Sequence, residues 1–250
     1  MVKCHHQRTY RKLVDGHLPS VKVAVQETDL NIYAHHITRT AVRESIIEQR
    51  GYIEGYIRRH PGFGLALQPW PYDPLAPPIV REMIQAGKNA AVGPMAAVAG
   101  AMAEKVGRSL LDRTDEIIIE NGGDIFLTTG RDVTVGIYAG RSPLSLKIAL
   151  RIQSSQSPIS ICTSSGTVGH SISYGKADAV CVLSSSCAQA DAAATAIGNQ
   201  IRRPGDIEAA IELGRTIPGV IGILIIIEDK MGMWGQVEIT SPGATPGLNK

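Results

Sequence analysis

Between residues 162 and 199 the chain gathers its chemically useful side chains: Cys162, the hydroxyls of Thr163, Ser164, Ser165 and Thr167, then His170, Asp191 and Thr195. Gly166 and Gly169 interrupt the hydroxyl run, and glycine lets a backbone adopt positive φ and approach a ligand closely. Successive N–H groups in such a turn can cradle an anion. Asp191 and Thr195 fall at i, i+4 in a segment with six alanines among residues 188–196, so both project from one face of a helix. A carboxylate and a hydroxyl stacked in this way suit a hard, oxygen-preferring cation such as Mg²⁺. Two plainer roles are open on spacing alone, with Asp191 capping or pairing and Thr195 bonding back to the carbonyl four residues earlier.

The elements that must position these groups can be read from periodicity. Residues 21–26 and 30–36 alternate as a hairpin. Residues 40–59 carry Val42, Ile46, Ile53 and Ile57 at helical spacing, and residues 77–91 form a second amphipathic helix. Between them, residues 61–78 hold six of the 14 prolines and form an ordered loop or a lobe connection. Gly93-Pro94 opens a third helix over residues 95–111, proline being tolerated in a first turn. Its opening turns are almost all alanine and glycine, so another backbone or a ligand must pack close there. Residues 117–120, 125–129 and 133–138 read as strands joined by Asn121-Gly122-Gly123-Asp124 and Gly130-Arg131-Asp132. Residues 144–152 alternate as a further strand. A largely apolar run over 177–183 is a buried strand leading into the alanine-rich helix, Pro204-Gly205-Asp206 opens a helix over 207–213, and residues 220–227 and 234–239 close the chain as a hairpin. The mixture predicts an α+β fold of mostly antiparallel sheet with packed helices, two fused lobes and a cleft between them, spanning residues 1–250 as one domain.

Composition narrows the function. The 250 residues carry a net charge of +2, with 44% hydrophobic and 19% charged residues, which is ordinary for a globular protein. The basic residues are dispersed, which argues against a nucleic-acid surface. No apolar run reaches the roughly 20 residues of a membrane helix. The N-terminal MVKCHHQRTYRK is polar from its third residue, so no signal peptide is expected. Four cysteines without C-x-x-C spacing fit neither a disulfide scaffold nor a zinc site, and the expectation is a cytoplasmic protein with reduced thiols. Gly62-Phe63-Gly64 lacks the rest of a dinucleotide fingerprint, there is no phosphate-binding P-loop, and Gly169-His170-Ser171-Ile172-Ser173 misses the nucleophile elbow at its last position. His5-His6 and His35-His36 lack ligand partners at metal spacing and read as surface residues.

Three blocks of the sequence resemble the ApbE superfamily, whose characterised members are Mg²⁺-dependent FAD:protein FMN transferases. Val98-Ala99-Gly100-Ala101-Met102-Ala103 is similar to the family's I-A-K-G-Y-A block. Asn121-Gly122-Gly123-Asp124 is similar to its N-x-G-G-[DN] turn. Thr163-Ser164-Ser165-Gly166, with residues 190–196, resembles its T-S-G loop and A-D-A-x-A-T-A helix. The likeness spans nearly the whole chain and lies nearest an uncharacterised branch. It implies Asp191, Thr195 and the Ala99 carbonyl as metal ligands, with Gly122, Gly123 and Asp124 beside a flavin or its phosphates. It also implies His170 in the position of a family histidine. The departures are a glycine, Gly100, in place of the family lysine, and the absence of the D-P-x-T-G segment after the histidine.

Two functional readings follow. In one, Mg²⁺ and the hydroxyls at 163–167 hold the pyrophosphate of FAD or a related nucleotide, with His170 as general acid or base and an acceptor protein as a further partner. In the other, Cys162 adjoins the Gly/Ser loop as a reactive thiolate of lowered pKa, in a sulfur- or redox-handling protein. A flavin-binding module without turnover is a third possibility. The sequence leaves the oligomeric state open.

Overall fold

The computed structural model describes residues 18–168 and 174–242. His170, Cys4 and His5-His6 lie outside the described residues.

Eight antiparallel strands form the central sheet, in the order β1-β2-β3-β4-β7-β8-β9-β10. The expected N-terminal hairpin is present as β1 (Ser20–Val25) and β2 (Thr28–Ala34), and β2 pairs onward with β3 (Ile117–Asn121). The chain turns through Gly122 (φ +70) and Gly123 (φ +118) into β4 (Asp124–Thr128). Two consecutive positive φ angles are what a tight hairpin turn demands and glycine supplies. β4 then pairs with β7 (Ile159–Ser164), β7 with β8 (Ala179–Ser184), and β8 with β9 (Val220–Ile227).

Helices cover one face of this sheet: α1 (Arg39–Arg59), α2 (Pro78–Ala90), α3 (Val98–Leu110), α4 (Cys187–Gln200) and α5 (Ile207–Thr216). A 3₁₀ turn over Pro94–Ala97 leads into α3. On the other face lies a three-stranded sheet, β11-β6-β5, made of β5 (Val133–Gly136), β6 (Ala149–Ile152) and β11 (Ile239–Thr240). The central sheet is thus buried on both sides, and its strands show it. In β9, Ile223, Ile225 and Ile227 enter the core under the helices, while Leu224 and Ile226 enter the core between the sheets. A strand with two covered faces loses alternation and becomes continuously apolar. The fold is α+β, with two cores sharing one sheet.

Three expectations need correction. The 133–138 segment does not continue the β3–β4 meander; it starts the second sheet. Residues 144–148 alternate but are not strand. Ser142 Oγ accepts the Leu144 N–H at 3.1 Å, Ser145 Oγ accepts the Ala139 N–H at 2.9 Å, and Leu146 takes φ +58. Local side-chain capping outcompetes the ladder there, and regular pairing begins only at Ala149. The closing hairpin uses β10 (Lys230–Gly235) rather than residues 234–239. Gly235 (φ +79) then turns the chain away, and Ile239 pairs with Leu150 across the second sheet. Among the described residues no helix is long and apolar enough to cross a membrane.

Candidate functional site

The site is assembled where the start of α3 abuts α4. The alanine-rich α4 lies against β7 and β8 with Ser186 as N-cap, whose side chain accepts the Gln189 N–H. Glu104, buried on α3, fixes the same end: its Oε2 accepts the Cys187 N–H at 2.7 Å and its Oε1 accepts from Arg108 Nε at 2.8 Å. Gly100 faces the first turn of α4. A Cβ on Gly100 would collide with the Cys187 carbonyl and with the Asp191 side chain. The glycine that replaces the family lysine is therefore a packing requirement of this chain, and the lysine has no room here.

That close approach puts Asp191 on the backbone of α3. Its Oδ2 accepts the Gly100 N–H at 2.9 Å. One residue earlier, the Ala99 carbonyl accepts from Asn121 Nδ2 at 2.9 Å. Asn121 ends β3, so the Asn121-Gly122-Gly123-Asp124 turn is tied directly to the α3 start. Asp124 opens β4 as a buried residue, and its carboxyl faces Asp191, the Cys162 thiol and the Thr163 N–H.

The electrostatics follow from this crowding. Burial pushes the Asp191 carboxyl up to about 7, against the opposing pull of the Gly100 and Ala99 N–H groups. Burial raises Asp124 well above the carboxylate range, and the charge of Asp191 raises it further. Two desolvated carboxyls side by side resist ionising together. A divalent cation would reverse that preference by replacing the protons. Thr195, one turn along α4 from Asp191, is also only partly buried. The available donors are thus carboxylate, hydroxyl and backbone carbonyl oxygens, the set hard cations take. Among the described residues no three His, Cys, Asp or Glu side chains form a metal-binding group, so any cation here would need the mixed donor set.

The hydroxyl loop is braced by its own side chains. Ser165 Oγ accepts from the Thr167 N–H at 3.1 Å and the Val168 N–H at 3.0 Å. Thr167 Oγ1 donates to Asp178 Oδ1 at 2.9 Å, and Thr163 Oγ1 donates to Cys181 Sγ at 3.2 Å. Ser164 ends β7 near Gly198 of α4, and a Cβ on Gly166 would collide with the Gly175 carbonyl. Gly123 sits beside Thr163, whose carbonyl would be 3.5 Å from an added Cβ, while the space over Gly122 is open. Ala99, Gly123, Asp124, Thr163 and Asp191 therefore belong to one neighbourhood, with Thr195 one turn along α4 from Asp191.

Cys162 is the correction. The sequence suggested a loop-mouth thiolate with a lowered pKa. The residue is instead fully buried, its Sγ 3.5 Å from Cys187 Sγ and 3.3 Å from the Cys187 carbonyl. Burial pushes its thiol well up, and the neighbouring Cys187, Asp124 and Asp191 push the same way. Cys187 is likewise raised by burial, and Cys181 is pushed up to about 11. A buried thiol of this kind is inert. Sequence reasoning also missed Glu104 and the tether from Asn121. Glu104 carried a signal, as an acid on a helix face otherwise built from Ala101, Ala103 and Gly100.

This arrangement of helices over an antiparallel sheet is shared with flavin transferases of the ApbE class. The flavin transferase ApbE from Vibrio cholerae superposes with a TM-score of 0.57 at 12% identity, over 87% of this chain and 96% of that one. The flavinyl transferase ApbE of Pseudomonas stutzeri, in its apo form, gives 0.57 at 10% identity, over 87% and 94%. At such identities the likeness establishes the fold. Sequence relatives are nearer: the UPF0280 protein of Methanococcus aeolicus is 38% identical over 222 residues, 86% of this chain and 90% of that protein. The UPF0280 protein of Methanocaldococcus jannaschii is 43% identical over 199 residues, 78% and 81%. The family model described as "AbpE bacteria" matches residues 11–232. The chain belongs to that family, and it is a member of the ApbE-like superfamily.

Proposed function

We propose that this protein binds FAD, or a related nucleotide diphosphate, together with Mg²⁺, and breaks the pyrophosphate linkage to pass the flavin-bearing phosphoryl group to an acceptor protein or to water. The observation that carries this reading is the Asp191 carboxyl held on the Gly100 N–H at 2.9 Å, beside the buried carboxyl of Asp124. Two neighbouring desolvated acids with no cationic side chain acting on them among the described residues are a costly arrangement, and a bound divalent cation would resolve it.

Asp191, Thr195 and the Ala99 carbonyl would hold the cation, with Asn121 fixing that carbonyl and Asp124 adding negative charge behind it. When bound, Mg²⁺ supplies neutralisation of phosphate charge and polarisation of a phosphoryl oxygen. The chain's own residues then position the substrate. Gly122, with open space above it, lets the hairpin backbone approach a flavin or phosphate closely. Of the residues at 163–167, Ser164 at the end of β7 would reach a phosphate oxygen, the hydroxyls of Thr163, Ser165 and Thr167 being turned to Cys181, to the loop's own N–H groups and to Asp178. His170 is the expected proton carrier for the leaving phosphate. In the transfer, the acceptor oxygen bonds to the flavin-side phosphorus and the phosphoanhydride bond breaks. The nucleoside monophosphate leaves and the acceptor's proton goes to the base.

The names of the solved neighbours, flavin transferases, support the reading by analogy of fold. Burial of Cys162 removes the ground for the sulfur reading. The test is incubation with FAD and Mg²⁺, with and without a candidate acceptor protein, followed by mass analysis of flavin and protein. Release of AMP with free or protein-bound FMN is the expected result. Intact FAD in every sample, with FAD bound, would leave a flavin-binding module without turnover.

A further inference from the structure

A second groove lies beside the N-terminal turn of α4, on the side that faces α2, and nothing in the flavin reading uses it. The α2 helix, the first turn of α4, the end of β8 and the turn at Pro218 and Gly219 enclose about 330 Å³, within the range of small-molecule sites. Its polar groups are connected. Gln85 Nε2 donates to Asn89 Oδ1 at 2.8 Å, and Asn89 Nδ2 donates to Gln189 Oε1 at 2.7 Å. The relay ends at Gln189 Nε2, which is buried without a hydrogen-bond partner among the described residues, on a side chain only 6% exposed.

The floor repeats the pattern. Ser184 is fully buried and lines the groove, and its Oγ accepts the Ser186 N–H at 3.2 Å. Ser160 stands directly opposite Ser184 across β7 and β8, and opposed residues of an antiparallel pair share a face. Ser160 is also fully buried, and its Oγ has no hydrogen-bond partner among the described residues. The β8–β9 ladder shifts register between Leu183 and Ser184, an irregularity often found beside sites. Gly219 (φ +81) forms the roof, with an added Cβ 3.5 Å from Gln189 Cγ. Buried polar groups left unpaired are costly and rare in an otherwise apolar core; Gln189 Nε2 belongs to a residue that lines the groove, and Ser160 Oγ lies next to Ser184 of its floor.

We propose that this groove is a second ligand site, taking a small uncharged molecule through a carboxamide group. The carboxamide carbonyl accepts from Gln189 Nε2, and its NH₂ group donates to a serine hydroxyl of the floor. Among the described residues, the one charged residue lining the groove, Glu82, is already paired with Lys105, and the other polar groups of the lining are amides and hydroxyls, which suits an uncharged ligand. Ala86 and Pro218 give the body of the ligand an apolar wall. Gln189 and Asp191 stand two apart on α4, a spacing that does not share a helix face, so this site stands or falls separately from the metal corner.

The test is a ¹H–¹⁵N NMR titration of the full chain with benzamide and, separately, benzoate. Benzamide is expected to shift the side-chain NH₂ signals of Gln189 and Asn89 and the backbone signals of Ser186 and Gly219, saturably and in the millimolar range. Benzoate is expected to bind at least tenfold more weakly. Gln189→Met should weaken benzamide at least tenfold; if that variant does not fold, Asn89→Leu, which cuts the relay, takes its place with the same expectation. Groove signals unmoved by benzamide, equal binding of benzoate, or undiminished binding to the variant would each overturn the proposal and leave the two buried donors to trapped water.

Discussion

Asp191 Oδ2 accepts the Gly100 N–H at 2.9 Å, across 91 residues of sequence. One helix can reach the backbone of another in this way only where no side chain intervenes, and Gly100 supplies that gap. Gly100→Ala should therefore destabilise the fold by about 1–3 kcal/mol, the usual cost of overpacking, a fall in melting temperature of about 2–12 °C for a chain of this size. Thermal unfolding monitored by circular dichroism measures it. An unchanged midpoint would mean that α3 and α4 do not meet as described.

The carbonyl beside that contact gives a second expectation. Asn121 Nδ2 orients the Ala99 carbonyl, and removing a group that orients a ligand typically costs about 10–100-fold in metal affinity. Asn121→Ala should weaken Mg²⁺ or Mn²⁺ binding by about that factor while leaving the circular dichroism spectrum unchanged. Calorimetric titration of wild type and variant decides it, and equal affinities would detach Ala99 from the metal corner.

Stability should depend on pH through the same acids. Asp191 titrates at about 7 in the fold, against about 3.8 for an ordinary aspartate. A carboxyl with a raised folded pKa favours the fold while protonated in it, so its contribution is fully present below about 4 and is lost as pH rises through about 7. At about 1.4 kcal/mol per pKa unit, the upper bound is roughly 4 kcal/mol. Asp124, raised in the same sense, acts in the same direction. Denaturant midpoints of the metal-free protein should fall between pH 4 and pH 7.5, and Asp191→Asn should flatten the slope. A wild-type profile that rises over this window would contradict the buried-acid geometry.

The thiols give a fourth expectation. Cys162, Cys181 and Cys187 are free and fully buried, and burial raises all three. Brief iodoacetamide treatment near pH 8 should leave these three unlabelled in the native protein and label them after unfolding. Peptide mass mapping reads the sites. Labelling of native Cys162 at the unfolded rate would restore the loop-mouth thiol that the sequence suggested.

That thiol shows where sequence reading stops. Strand alternation put Cys162 on the face opposite Ile161 but could not say what covered that face; the cover is Cys187, 25 residues later. Legible features were those with a local cause: the period of α1 and α2, the Gly122-Gly123 turn, the alanine run of α4. The small-residue start of α3 even announced its close neighbour. Residues 144–148 misled because Leu144, Leu146 and Ile148 alternate like a strand, while Ser142 and Ser145 cap a turn. The pattern of residues 190–196 marked Asp191 and Thr195 as candidates. The burial of Asp124 against Asp191 was not, because it depends on β4 and α4 meeting through tertiary packing alone.

The central claim, that Asp191 holds a cation which in turn holds a flavin dinucleotide, is tested most directly by calorimetric titration of FAD into the protein. The titration is run with Mg²⁺ and with a chelator, for wild type and for Asp191→Asn. Mg²⁺ should tighten FAD binding to the wild type at least tenfold and should leave the variant at its metal-free affinity. Equal FAD affinity with and without Mg²⁺ in the wild type, or an undiminished Mg²⁺ effect in Asp191→Asn, would contradict it.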